Sequence, residues 1–138
     1  MSGDRIEILR KGYEALGRGD LPAALSPFHP AVQVEDHEFS LDSPVIRHGH
    51  EGFLEIFTSV NEGFEDVRYT PEEFKEARDQ VLVSARRTGR GAASGVEVEE
   101  RQFHLFEFRD GLMVRFRSFL NGERALEAME PAGRDERG

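Results

Sequence analysis

The carboxylate of Asp36 stands where a side chain of its type can be made reactive. In the stretch 31–36, Val32 and Val34 point one way and Gln33 and Glu35 the other. The period of two puts Asp36 on the valine face. A carboxylate on an apolar face is costly unless it is paired or protonated, and desolvation raises its pKa. Such a group suits proton abstraction beside a carbonyl, or activation of water. The plainer alternative is that Asp36 ends the strand and caps the following loop. His104 shares its parity with Phe106 and Phe108. It can give a proton to an enolate or phenolate oxygen, or it can be a core histidine bonded to backbone or to Tyr13. Tyr13 belongs to a helical stripe, with a hydroxyl that can also line a pocket.

Other constellations carry less. His37, His48 and His50, with Glu35 and Glu38 nearby, are of metal-ligating type. Their spacing matches no standard motif, so a solvated loop or a pocket rim is expected, and no metal. Cysteine is absent, which excludes disulfides, thiolate metal sites and a cysteine nucleophile. Gly89-Arg90-Gly91 has neither the spacing nor the strand-to-helix context of a nucleotide loop. No cofactor is expected. Arg115 and Arg117 alternate with apolar residues and are expected to be exposed, or paired with acids across a sheet.

Composition narrows the class. The chain has 138 residues, a net charge of -9 and 33% charged residues, which suits one globular domain. No basic stripe is visible, so nucleic acid is not an expected partner. No apolar run approaches a bilayer span, and the first residues lack a secretion signal. A cytoplasmic location is expected, with no membrane partner. Of the 18 basic residues only Lys11 and Lys75 are lysine, a coding bias that hints at a GC-rich bacterial genome.

The elements that must position these groups can be read in order. Asp4 and Glu7 form a capping-box pattern before the stripe Ile6, Leu9, Tyr13 and Leu16. Asp20 can cap a short helix with Pro22 in its first turn and Phe28 on its buried side. Residues 37–49 read as an irregular loop. Phe53, Leu54, Ile56, Phe57 and Val60 predict a third helix. Strands follow around Val67 and Tyr69, with Pro71 marking an edge or bulge, then over 81–88 and 96–108. Asp110-Gly111 is a hairpin signal before the alternation of Leu112, Val114 and Phe116 with Met113, Arg115 and Arg117. A short final helix carries Ala125, Leu126 and Met129. Helices grouped against one antiparallel sheet make an α+β fold. Residues 1–130 form the domain and 131–138 a frayed tail. The long strand is apolar on both faces, Phe103 and Leu105 opposing Phe106 and Phe108. The second face needs a cover, either a second copy of the chain or the chain's own tail. A homodimer through the sheet face is the expectation.

These elements resemble the nuclear transport factor 2-like superfamily, with its SnoaL-like cyclases and ketosteroid isomerases, over roughly residues 4–129. The resemblance rests on Tyr13-Glu14-Ala15-Leu16 leading to Gly19-Asp20-Leu21, on Val34-Glu35-Asp36, and on Gly49-His50-Glu51-Gly52. Gly89-Arg90-Gly91, Ser94-Gly95-Val96 and Asp110-Gly111-Leu112 extend it. It implies a cone-shaped, curved antiparallel sheet wrapped around the N-terminal helices, a deep pocket, and dimers. It also places Asp36 at the isomerases' base position. Their oxyanion tyrosine falls at Gly12, one residue before Tyr13, and their carboxylic acid at His104.

Two functions follow as expectations. One is a cofactor-free acid–base isomerase or cyclase acting on a small hydrophobic ketone, polyketide or terpenoid. Asp36 would be its base, His104 and Tyr13 would polarise oxygen, and Val34, Phe53, Phe57, Phe106 and Phe116 would line the pocket. The other is a non-catalytic ligand-binding or dimerisation module in which Asp36 and His104 form a buried pair.

Overall fold

The computed structural model describes residues 2–38 and 43–137. Three helices, α1 (Ser2–Gly17), α2 (Leu21–Leu25) and α3 (Gly49–Val60), are interleaved with strands β1 (Phe28–Asp36) and β2 (Val45–His48). Four long strands follow: β3 (Phe64–Ala77), β4 (Gln80–Gly91), β5 (Glu97–Arg109) and β6 (Leu112–Phe119). Helix α4 (Gly122–Arg137) comes last and runs on through the segment read as a tail. All six strands join one sheet in the order β2-β1-β6-β5-β4-β3. No helix among the described residues is long and apolar enough to cross a membrane.

Local chemistry sets the joints. Asp20 accepts from the Ala23 N–H at 3.2 Å and caps α2. Asp110 and Gly111 both take positive φ, 52° and 82°, the requirement of a tight hairpin turn whose twist matches its strands. Pro71 lies on the edge strand β3, at a register shift against β4. There its missing N–H costs no interior ladder bond.

Three features differ from the sequence expectation. The segment 37–49 contains a strand, β2, paired antiparallel with β1; four exposed residues carry too weak an alternation to announce it. β1 starts at Phe28 and pairs parallel with β6, so the sheet is mixed. A parallel pairing across the whole chain leaves no turn signal in the sequence. The alternation in β6 also breaks. A register shift between Glu107 and Phe108 puts Met113 and Phe116 into the same core, as a bulge does. Arg117, on the opposite face from Phe116 and level with Leu105, is buried at 7% exposure, not exposed.

The sheet is covered on both faces. One carries Val32, Val34, Val81, Val83, Phe106 and Phe116, closed over by residues of α1 to α3. On the other, Leu82, Leu105 and Phe119 pack with Ala125 and Met129 of α4. The cover for Phe103 and Leu105 is thus supplied by the chain itself. A Cβ on Gly122 would lie 3.1 Å from the Phe103 ring, so a glycine there lets α4 start in close contact. Leu105 is fully buried under this helix. Leu105→Ala should lower stability by about 2–5 kcal/mol in urea unfolding. A loss under about 0.5 kcal/mol, the range of a surface substitution, would mean that α4 does not cover this face.

Candidate functional site

Between α1, α3 and the sheet lies a cavity of about 90 Å³. It opens to solvent and is walled mainly by aromatic rings. Phe53 and Phe57 come from α3 and stack on each other, with centroids 6.0 Å apart. Phe106 and Phe116 come from neighbouring strands, at 5.0 Å. Tyr13 and His104 also line it. Val34 does not; it is fully buried in the core on the same face of the sheet.

One end of this cavity is polar. The Tyr13 hydroxyl lies 2.6 Å from His104 Nδ1, and His104 Nε2 lies 3.0 Å from Gln102 Oε1. Gln102 Nε2 donates to Glu100 at 2.8 Å and to Glu38 at 3.4 Å. Ser118 donates to the other oxygen of Glu38. The direction of every proton follows. Carboxylates accept only, so the Gln102 amide nitrogen must face them and its oxygen must face His104. His104 therefore donates from Nε2 and accepts at Nδ1, and Tyr13 donates. Burial without a counter-charge holds the His104 pKa down to about 4, so the ring is neutral at neutral pH. Tyr13 is raised by the same desolvation and keeps its proton.

The carboxylate that reaches this cavity is Glu38. Desolvation raises its pKa to about 7, opposed by the Ser118 hydrogen bond and aided by the charge of Asp36. Asp36 is buried, at 5% exposure, and its Oδ1 accepts from the Glu38 N–H at 2.9 Å. That bond turns the chain after β1. Asp36 borders a different hollow with Val45, Arg47, Glu55 and Ser59, and Ile56 of α3 stands between the two. Desolvation raises its pKa as well, against the Glu38 backbone bond.

Sequence reading missed Gln102, Ser118 and Tyr69 as lining groups and placed Glu38 only in a solvated loop or at a pocket rim. Glu38 shares the parity of Asp36 two residues on, which was the available signal. Gln102 shares that of His104. Ser118 shares that of Phe116, and Tyr69 on β3 gave only a strand pattern.

The three loop histidines go separate ways. His37 sits 2.9 Å from Glu35 and stacks on Phe119. His50 donates to the Phe28 carbonyl at 2.9 Å, and His48 is exposed. Among the described residues no group of three acidic, histidine or cysteine side chains is placed to hold a metal ion. Glu35 is 3% exposed. Desolvation pulls its pKa up, but His37, Arg115 at 2.7 Å and Gln33 outweigh it and hold the carboxyl below its ordinary value.

Residues 9–116 match the model of the SnoaL-like domain family, and the chain belongs to that family. No curated protein matches it significantly. Among solved structures, an NTF2-like protein of unknown function from Burkholderia pseudomallei is 22% identical, with a TM-score of 0.74 over 90% of this chain and 95% of that one. A SnoaL-like polyketide cyclase, so named from Jannaschia sp., is 21% identical, with a TM-score of 0.73 over 90% of each chain. TerC, co-crystallised with polyporic acid, is 25% identical, with a TM-score of 0.72 over 92% of this chain and 98% of that one.

Glu38 and His104 pull stability in opposite directions. Glu38 titrates near 7 when folded against 4.5 ordinarily. Its proton stabilises the fold at low pH, and that stability is lost as pH rises through about 7. His104 titrates near 4 when folded against 6.5 ordinarily. Its neutral form stabilises the fold above 6.5, and that contribution is lost as pH falls toward 4. Urea unfolding of wild type and Glu38→Gln should therefore show wild type losing ground to the variant between about pH 4.5 and 7. A difference independent of pH would mean that Glu38 titrates normally.

Proposed function

We propose that this protein binds a small aromatic or unsaturated ketone or enol in the cavity and moves a proton on it without a cofactor. Glu38 is the base in this reading, in place of Asp36. The observation that carries it is the position of the Glu38 carboxylate, at the polar end of an otherwise aromatic cavity and held by Ser118 and Gln102. A carboxylate titrating near neutrality combines a useful ionised fraction with real basicity. Glu38 takes a proton from the carbon beside the carbonyl, the electron pair moves onto oxygen as an enolate, and the proton returns to the same or a conjugated carbon.

Tyr13 and His104 take a different part from the donor role their residue types suggest. The Tyr13 proton is committed to His104, and that of His104 to Gln102. What Tyr13 offers a ligand is a lone pair, suited to an enol or phenol O–H. The family's cyclase-named member and the relative crystallised with polyporic acid are consistent with oxygenated, unsaturated ligands. The cavity volume limits what is fully enclosed to about one ring.

The test uses acetophenone, a single-ring ketone with exchangeable methyl protons. The protein should accelerate their exchange for deuterium in heavy water, followed by NMR. Glu38→Gln should slow that exchange by about a hundredfold or more, while acetophenone still raises the melting temperature. Stabilisation without any catalysed exchange would leave a ligand-binding module, and exchange unaffected by Glu38→Gln would remove Glu38 as the base.

A further inference from the structure

The polar groups lining the cavity can be sorted by where their protons go. Tyr13 donates to His104, His104 to Gln102, Gln102 to Glu38 and Glu100, and Ser118 to Glu38. None of these has a proton left for a ligand. With Glu38 ionised, the remaining lining residue with an O–H is Tyr69, half-buried on β3.

The surroundings of Tyr69 decide its polarity. It pairs across the sheet with Arg87, which in turn pairs with Glu100. Arg87 is 6% exposed in its side chain and 3.4 Å from the Glu100 carboxylate. Its Nε and Nη2 both donate to Asn61 Oδ1, at 3.0 and 2.6 Å. A guanidinium can only donate, so the Asn61 oxygen must face it, and two N–H bonds fill that oxygen's lone pairs. The Asn61 amide nitrogen then donates to the Phe57 carbonyl at 2.9 Å and to the Tyr69 oxygen at 3.1 Å. The Tyr69 hydroxyl also lies 3.3 Å from Asn61 Oδ1, but that acceptor is saturated. Tyr69 accepts from Asn61, and its own proton is left for the cavity.

We infer that Tyr69 is the hydrogen-bond donor to the ligand's acceptor oxygen, with Asn61 and Arg87 as positioning residues that hold its proton toward the cavity. The inference rests on the proposed function, for it names the electrophilic partner of the Glu38 base. A carbonyl between the two would have its α-proton toward Glu38 and its oxygen toward Tyr69. Charge developing on that oxygen would be met by an O–H donor backed, through Asn61, by the Arg87 cation, the arrangement that stabilises an enolate.

The test compares acetophenone carrying a ¹³C-labelled carbonyl with ethylbenzene, which has the same shape and no acceptor. Both are bound at pH 8, where Glu38 is ionised and cannot donate. The carbonyl stretch of bound acetophenone should shift to lower frequency than in an alkane solvent. Tyr69→Phe should abolish the shift and weaken acetophenone about two- to tenfold, with ethylbenzene unchanged. Asn61→Asp should also abolish it with the tyrosine intact, because a carboxylate at that position accepts the Tyr69 proton and turns it away from the cavity. A merely structural Asn61 would not move this signature. A carbonyl shift retained in Tyr69→Phe overturns the inference and leaves the Glu38 reading standing. Failure of both probes to bind wild type overturns both readings.

Discussion

A neutral imidazole among phenylalanines can persist only if both of its nitrogens are partnered, and most of the polar architecture follows from meeting that condition at His104. Its ring is 5% exposed, with Tyr13, Tyr69, Phe106 and Phe116 around it. Tyr13 of α1 satisfies one nitrogen and Gln102 of the same strand the other. Gln102 is anchored by Glu38 and Glu100, and Glu100 meets Arg87, which holds Asn61 and through it Tyr69. One connected set of hydrogen bonds thus ties α1, the end of β1, three central and edge strands, and the end of α3 around one cavity. Since an unpaired buried polar group costs about 1–3 kcal/mol, each member fixes the orientation of the next.

That directionality gives the cavity its chemical character. Apolar walls supply affinity for a ring but no orientation. The polar end supplies lone pairs at Tyr13 and Glu38 and one free proton at Tyr69. The same desolvation that holds His104 neutral raises Glu38 toward neutrality. The raised carboxylate and the neutral histidine are therefore two consequences of one dry environment acting on groups of opposite charge type. The SnoaL-like family to which the chain belongs provides the scaffold, and the proposed chemistry rests on the residues at the polar end.

The second face of the sheet shows how a local rule can be right and its solution non-local. Phe103 and Leu105 demanded a cover, and their alternation with Phe106 and Phe108 stated that demand openly. Which element met it was written only in the packing of Ala125 and Met129 of α4 onto Leu82, Leu105 and Phe119. A stripe of small and apolar residues near the end of a chain carries no address.

Read alone, the sequence determined the helix periodicities of α1 and α3, the cap at Asp20, the hairpin at Asp110-Gly111, the aromatic wall of Phe53, Phe57, Phe106 and Phe116, and the pairing of Tyr13 with His104 as one possibility. Each of these depends on neighbours within a few residues or on a repeat of 2 or 3.6. Tertiary structure decided the rest. The parallel pairing of β1 with β6 joins residues some 80 positions apart. The bulge between β5 and β6 brings Met113 onto the face of Phe116, and the register beyond it sets Ser118 opposite His104 and within reach of Glu38. Ile56 parts Asp36 from the cavity while Glu38, two residues on, enters it. The proton order of the Arg87–Asn61–Tyr69 set exists only because β3, β4 and the end of α3 meet. No spacing along the chain encodes which lone pairs are already filled; that depends on every partner being present at once.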